Sequence, residues 1–429
     1  MKKFFLLAFL CPIWVYGQTT DANTDSIKAV SAVKYYTKQI TQAPTALAFY
    51  KRGLSKKTLN NYKGAIEDFD QAIKLNPKYD DAILDRGLSK NALEDYKGAV
   101  VDYTQVIGLS PKRSIAYYER ALSKKHLEDY KSALLDLDKA IELDPKDNDY
   151  YNERGITKKT LKDFTGAIKD YDQAIAIAPT KSGAYYNRGY VYFRLNKYVM
   201  ALVDFDAFIK LAPEDPDGYY MRGDANRRLE KFELSINDYN QALKLNPKYI
   251  EAYNSRGVAK YSLKDYSGEI EDLNKAIAID PKYDIAYYNR GLANDALNNY
   301  NESIEDYTQF IDLSPKDADG YFKRGTAKLN LEDYGNAIID LTEAIKIDNK
   351  YTDAYYNRGL AKRNLEDYKG AILDYTKVIE LDPKESDAYN NRGLAKHYTN
   401  DEAGACADFK KAIELGNEYA TENLSKYCK

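Results

Sequence analysis

Apolar residues recur in this chain on a spacing that fixes its elements. Between residues 368 and 379 the apolar or small positions are Tyr368, Ala371, Ile372, Tyr375, Val378 and Ile379, which form one stripe of a helix with 3.6 residues per turn. The segment before it, with Tyr355 and Leu365, predicts a second helix antiparallel to the first. Pro383 closes the pattern, because proline lacks a donor and pushes the preceding residue out of helical dihedrals. The same succession of helix, turn, helix and stop reads again 34 residues earlier, and again 34 before that.

Counted from Ala46 in units of 34, the frame holds without insertion through eleven repeats, which start at residues 46, 80, 114, 148, 182, 216, 250, 284, 318, 352 and 386. Position 4 is aromatic in ten of them, with Ile83 the exception, and position 14 is Leu in ten. Positions 8, 20 and 27 are small, as in Gly53, Ala65 and Ala72, so helix backbones approach closely, and position 32 is Pro in nine repeats. A single hairpin of this kind cannot bury its apolar stripe, and stacking on the next supplies the missing wall. The predicted fold is all-α, a solenoid of antiparallel helix pairs.

An aromatic at 4, Gly at 8, an aromatic at 17, Ala at 20, an aromatic at 24, Ala at 27 and Pro at 32 resemble the tetratricopeptide repeat. The resemblance implies a right-handed superhelix whose first helices line a groove for peptides or partner proteins, and it does not imply catalysis. In this family positions 2, 5, 9, 12 and 13 form the groove.

Two columns depart from the family together. Position 7 is Arg in all eleven repeats, from Arg52 to Arg392, and position 23 is Asp in all eleven, from Asp68 to Asp408, whereas the family more often carries an apolar residue and an aromatic there. Gly follows the Arg everywhere except at Ala121. In an antiparallel pair turning near position 15 the two columns lie level, and position 7 of the next repeat lies level with the Asp as well. The arginines read either as a clamp for a ligand's carboxylates or as glue between stacked helices. Eleven matched pairs favour glue, since a ligand rarely needs one contact in every repeat.

Function is expected where the copies diverge. Position 5 offers Tyr186, Tyr220, Tyr288 and Tyr356, and position 12 offers Lys125, Lys159, Arg227 and Arg363. Aromatics beside bases suit an extended, acidic peptide through apolar contact and cation–π attraction; packing on neighbouring repeats is the alternative use of the same tyrosines. Repeats 5 and 6 break pattern most, and Tyr190, Tyr192, Phe193, Arg194, Arg227 and Arg228 there form the candidate hot spot, with drift in a redundant array as the alternative. Phe208 and Phe310 replace the small residue at position 27 and are expected to wedge the stack over Gly223 and Gly325. Glu269 occupies a small-residue position, with Lys260 as its expected partner.

Composition narrows the setting. The formal charge is −3 with 30% charged residues, which shows no overall bias toward nucleic acid. Lys2 and Lys3 precede an apolar run that closes on Gly17, the pattern of a secretory signal over residues 1–17, cut before Gln18, with an uncleaved anchor as the alternative. Residues 18–25 then read as linker, Ser26 to Ile40 as a capping helix, residues 46–419 as repeats and 420–429 as a terminal cap. The exported chain, periplasmic or secreted, retains Cys406 and Cys428, which lie level if the terminal segment folds back, so a disulfide stapling the cap is expected.

The only histidines are His126 and His397, and no phosphate-cradling glycine loop, zinc spacing or nucleophile motif appears. The chain therefore reads as a non-enzymatic scaffold for protein or peptide partners, without cofactor or metal, and without nucleic acid as a ligand. A carbohydrate or cell-wall binder using the groove tyrosines is the alternative.

Overall fold

The computed structural model describes residues 22–428, which form twenty-four helices and no strand. The expected signal at residues 1–17 lies outside them. The chain divides into two compact units, Met1–Leu195 and Asn196–Lys429, with the division falling between the two helices of repeat 5. In repeat 2 the helices are Asp80–Ala92 and Tyr96–Leu109, and each repeat follows the same plan.

The turn between them falls at position 15, and none of its eleven residues is glycine. Asn60, Glu94, Glu128, Lys162 and their counterparts all take φ between +57° and +65°, a left-handed conformation that Asn tolerates and that Glu and Lys adopt at a cost. The residue that follows recovers part of it. Asp95 caps the second helix, its carboxylate accepting from the Gly98 N–H at 2.9 Å, and Asp163, Asp265, Asp367 and Asp401 do the same. The recurring Glu-Asp pairs are thus the turn residue and the cap.

The core of a repeat is a ring on a glycine. Tyr103 is fully buried against Gly87, where an added Cβ would lie 2.7 Å from its Cε1. Tyr171 on Gly155, Tyr307 on Gly291 and Phe409 on Gly393 repeat the contact. Ala121, the one departure in the glycine column, stands opposite Leu137, whose smaller side chain leaves room for the methyl group.

Phe208 and Phe310 do not wedge the stack over Gly223 and Gly325. Their rings lie on Gly218 and Gly320, at position 3 of the following repeat, where an added Cβ would approach Cδ1 to 2.5 and 2.7 Å. Elsewhere position 3 is usually Ala, so the larger residue at 27 is matched by a smaller one at 3. Tyr150, the one aromatic at position 3, packs with Ala140 at position 27.

The Arg and Asp columns are glue, with a connectivity the spacing did not reveal. In repeat 2, Arg86 donates from Nε (3.0 Å) and Nη2 (2.7 Å) to Asp102 of its own repeat, and from Nη1 (2.7 Å) to Asp70 of the repeat before. Asp102 does not reach Arg120 of the next repeat; the Arg bridges repeats through position 25, using Thr104, Asp138, Asn240 or Thr308 elsewhere. Lys90 completes the site at 2.8 Å from Asp102, as Lys56, Lys124 and Lys362 do for their own aspartates. The aromatic at position 4 lies under the guanidinium, 5.7 Å from ring centre to Arg120 in the case of Tyr117. In repeats 6 and 8 Asn226 and Asn294 replace the Lys, each donating at 3.0 Å. Burial there raises the pKa values of Asp238 and Asp306, and the arginines only partly counter it.

Glu269 is not paired with Lys260, whose Nζ is taken by Asp272 at 2.9 Å and by the Gly268 carbonyl at 3.1 Å. Glu269 is 2% exposed, its Oε2 has no hydrogen-bond partner, and burial pushes its pKa up to about 8.

The first helix is longer than the sequence implies. The first described helix runs Ala22–Gln42 rather than from Ser26 to Ile40, and Arg52 reaches back to its Thr37 at 3.3 Å. At the far end the helix Tyr419–Tyr427 folds against Glu402–Glu414. The Cys406–Cys428 disulfide joins them across a Cα–Cα distance of 5.7 Å, and Tyr427 packs beside His397 and Phe409.

Candidate partner-binding face

The first helices carry the side chains that differ from copy to copy, and successive first helices touch through positions 5, 6 and 12. Position 6 was not singled out from the sequence. Its column is polar throughout most repeats, as Asp85, Glu119, Glu153, Asn187, Asn289 and Asn391, and that polarity on a packed helix was the signal available.

In the first unit, Tyr50 and Lys57 both donate to Asp85, at 2.9 and 2.5 Å. Lys125 is ion-paired with Glu153, and burial, with Lys159 nearby, pushes its pKa down to about 8. Lys159 donates to Asn187 at 3.3 Å and sits 5.2 Å from the centre of the Tyr190 ring; burial lowers its pKa too. Tyr186 and Phe193 are half-buried, and Arg194 is exposed near the Tyr190 hydroxyl.

In the second unit, Arg227 is held by Asp224 at 2.8 Å and by the Tyr239 hydroxyl at 3.3 Å. Tyr220 packs between Tyr239 and Tyr249, with ring centroids at 5.9 and 4.9 Å, and Tyr288 packs against Phe310 at 5.0 Å. Asn391 donates to the Tyr356 hydroxyl at 2.9 Å and accepts from Arg363 at 2.6 Å. Arg228 is exposed.

Most of the candidate residues therefore fall into three groups. Lys125, Lys159, Arg227 and Arg363 are engaged by the chain's own acids and amides, so the basic column does not stand ready for an acidic peptide as the sequence implied. Tyr220, Tyr288 and Tyr356 pack chiefly on neighbouring rings. Arg194 and Arg228 remain turned to solvent. The candidate hot spot is itself divided: Tyr190, Tyr192, Phe193 and Arg194 belong to the first unit, and Arg227 and Arg228 to the second. Among the described residues no group of three or more His, Cys, Asp or Glu is placed to hold a metal ion, and no helix is long and apolar enough to cross a membrane.

Family models described as tetratricopeptide repeat match residues 46–79 and 352–385, and 114–147, 182–215, 250–283, 285–317, 318–351 and 386–418, and a model described as TPR repeat matches 160–196 and 223–264. Together they account for well over half of the sequence, and the chain belongs to the tetratricopeptide repeat family. Among solved structures it is similar to the C-terminal part of a TPR repeat-containing protein from Cytophaga hutchinsonii, at 18% identity and a TM-score of 0.49, over 56% of this chain and 98% of that one. It is also similar to YrrB, a TPR protein with an unusual peptide-binding site, at 21% identity and a TM-score of 0.41, over 44% of this chain and 97% of that one. MamA aligns at 29% identity and a TM-score of 0.37, over 38% of this chain and 96% of that one. No curated protein matches the sequence.

Proposed function

We propose that the chain is an exported, non-enzymatic scaffold that holds extended peptides or protein partners along the first helices of its repeats, in the periplasm or outside the cell. The observation that carries this reading is a division of labour. Packing positions 7, 8, 20, 23, 24 and 27 repeat almost unchanged, whereas positions 5, 6, 9 and 12, which lie together on the first helices, differ from copy to copy. A surface that varies over a framework that does not is the arrangement of a recognition face. The Cys406–Cys428 disulfide supports an oxidising compartment.

The test is capture from an envelope extract by the purified chain, compared with binding to a glycan array and to a nucleic-acid column. Saturable protein capture that weakens with Arg194→Glu and Arg228→Glu, neither of which supports the fold, is the expected result. Glycan binding without protein capture overturns the reading. Export is tested separately by N-terminal sequencing of the mature chain, which is expected to begin at Gln18.

A further inference from the structure

Along the first unit, the side chain at position 6 of a repeat is met by positions 5 and 12 of the repeat before. Asp85 accepts from Tyr50 and Lys57, Glu153 is paired with Lys125, and Asn187 donates to Asn152 at 3.2 Å and accepts from Lys159 at 3.3 Å. Asn391 repeats the pattern in the second unit with Tyr356 and Arg363. Glu119 breaks it. Position 5 before it is Leu84, which has no polar atom to offer, and position 12 is Asn91. Asn91 is turned away, its amide donating to the Tyr103 hydroxyl at 3.0 Å and its carbonyl accepting from Ser123 at 2.8 Å.

The groups that act on Glu119 do not replace the missing partner. Lys57 is the one cation whose charge lowers its pKa, and Lys57 is already held by Asp85. The phenols of Tyr103, Tyr118 and Tyr150 and the carboxylate of Asp85 lie in the same neighbourhood, with Tyr118 and Tyr150 in ring contact at 4.9 Å. Burial consequently pushes Glu119 up to about 7.

We propose that Glu119 is the seat for a lysine or arginine side chain of an extended peptide laid along the first helices of repeats 2 to 4. The partner's cation stands where the other repeat joints of this unit carry an internal donor. A half-buried carboxylate beside phenol rings suits it, through a charge-assisted hydrogen bond and the ring faces. The inference rests on the reading of this face as a peptide-binding surface, and it replaces the acidic partner expected from the sequence with a basic one at this place.

The test uses the full mature chain and synthetic peptides of about a dozen residues, identical except for Lys, Arg, Gln or Glu at one register. Lys and Arg peptides are expected to bind at least roughly tenfold more tightly than their Gln counterparts. That preference is expected to vanish in Glu119→Gln, and also in Asn91→Lys, which supplies the internal donor without lowering the melting temperature. If Asn91→Lys loses helicity, Glu119→Gln alone decides. Equal binding of Lys and Gln peptides overturns the seat and leaves the scaffold reading standing. Failure to bind any peptide overturns both. Complete competition by free spermidine at concentrations that leave Gln peptides bound makes the occupant a small polyamine, and the peptide proposal falls.

Discussion

In repeat 2 the ring of Tyr103 lies against Gly87 with Ala99 beside it, and its hydroxyl accepts from the Asn91 amide. In repeat 7 Leu273 stands where the ring would be, and Glu269 stands where the alanine would be. Its Cγ lies 3.3 Å from the point a Cβ on Gly257 would occupy. The methylenes of the glutamate fill the volume that the leucine leaves. Repeat 3 answers the same substitution differently, placing the methyl group of Ala121 against Leu137. The comparison teaches an order of priority. These interiors satisfy volume first, and a carboxylate recruited as filler is accommodated by staying protonated, since burial holds it near 8. Three residues along the same helix, Asp272 is as deeply buried but ion-paired with Arg256 and Lys260.

The largest expected effect tests what the two repeats share. Asp102→Ala and Asp272→Ala each strand an Arg and a Lys, and each is expected to cost about 3–5 kcal/mol, read as lost amide protection in the second helix of that repeat. A difference of more than about 1 kcal/mol between them would show that the two sites are not equivalent. Next comes the core contact. Gly87→Ala is expected to cost about 1–3 kcal/mol because the Tyr103 ring cannot yield, and Tyr103→Leu in the same chain should recover much of the loss. Gly257→Ala should cost less than about 1 kcal/mol, since a flexible Glu269 side chain is what it meets.

The third effect concerns pH. The folded chain keeps the Glu269 proton up to about 8, whereas the unfolded chain releases it near the ordinary glutamate value of 4.5. Between those limits the folded state binds more protons, so raising the pH weakens repeat 7 progressively and the loss is complete above about 8. Glu269→Gln should abolish that decline, measured by hydrogen exchange of the Tyr266–Ile279 amides at pH 5 and pH 9. An unchanged pH profile in the variant would assign the proton elsewhere. The smallest effect is expected from Asn226→Lys, which gives Asp238 the second cation that Asp102 and Asp272 possess; the gain should be within about 1 kcal/mol, visible as slower exchange in Phe232–Leu245.

Much of the architecture was legible from spacing alone. The second helices begin at position 17 and end at 30, where the apolar stripe and the proline column place them, and the Glu-Asp pairs lie at the turn and the helix start. The left-handed residue at position 15 was not legible, because Glu and Lys carry no signal for it; only the closure of two helices over a short turn imposes it. The glycines at 218 and 320 are legible in the sequence. Each stands one repeat after an oversized residue at position 27, and the compensation lies across the joint between repeats rather than within one. Most of the candidate site was not legible. Lys125, Lys159 and Arg363 look alike in sequence whether they face solvent or an acid or amide on the next helix, and position 6, which holds them, lies outside the groove columns of the family.

The sequence by itself determined the repeat, the two helices within it and the pairing of Arg with Asp, because those follow from periodicity and from steric limits that act over a few residues. Tertiary structure alone decided which neighbour takes the third arginine donor, that Glu269 fills a gap instead of meeting Lys260, and that Glu119 is left without the partner its counterparts have. Those outcomes depend on how far each helix is rotated about its own axis against the next. A rotation of part of a turn exchanges one side-chain partner for another while leaving every spacing in the chain unchanged.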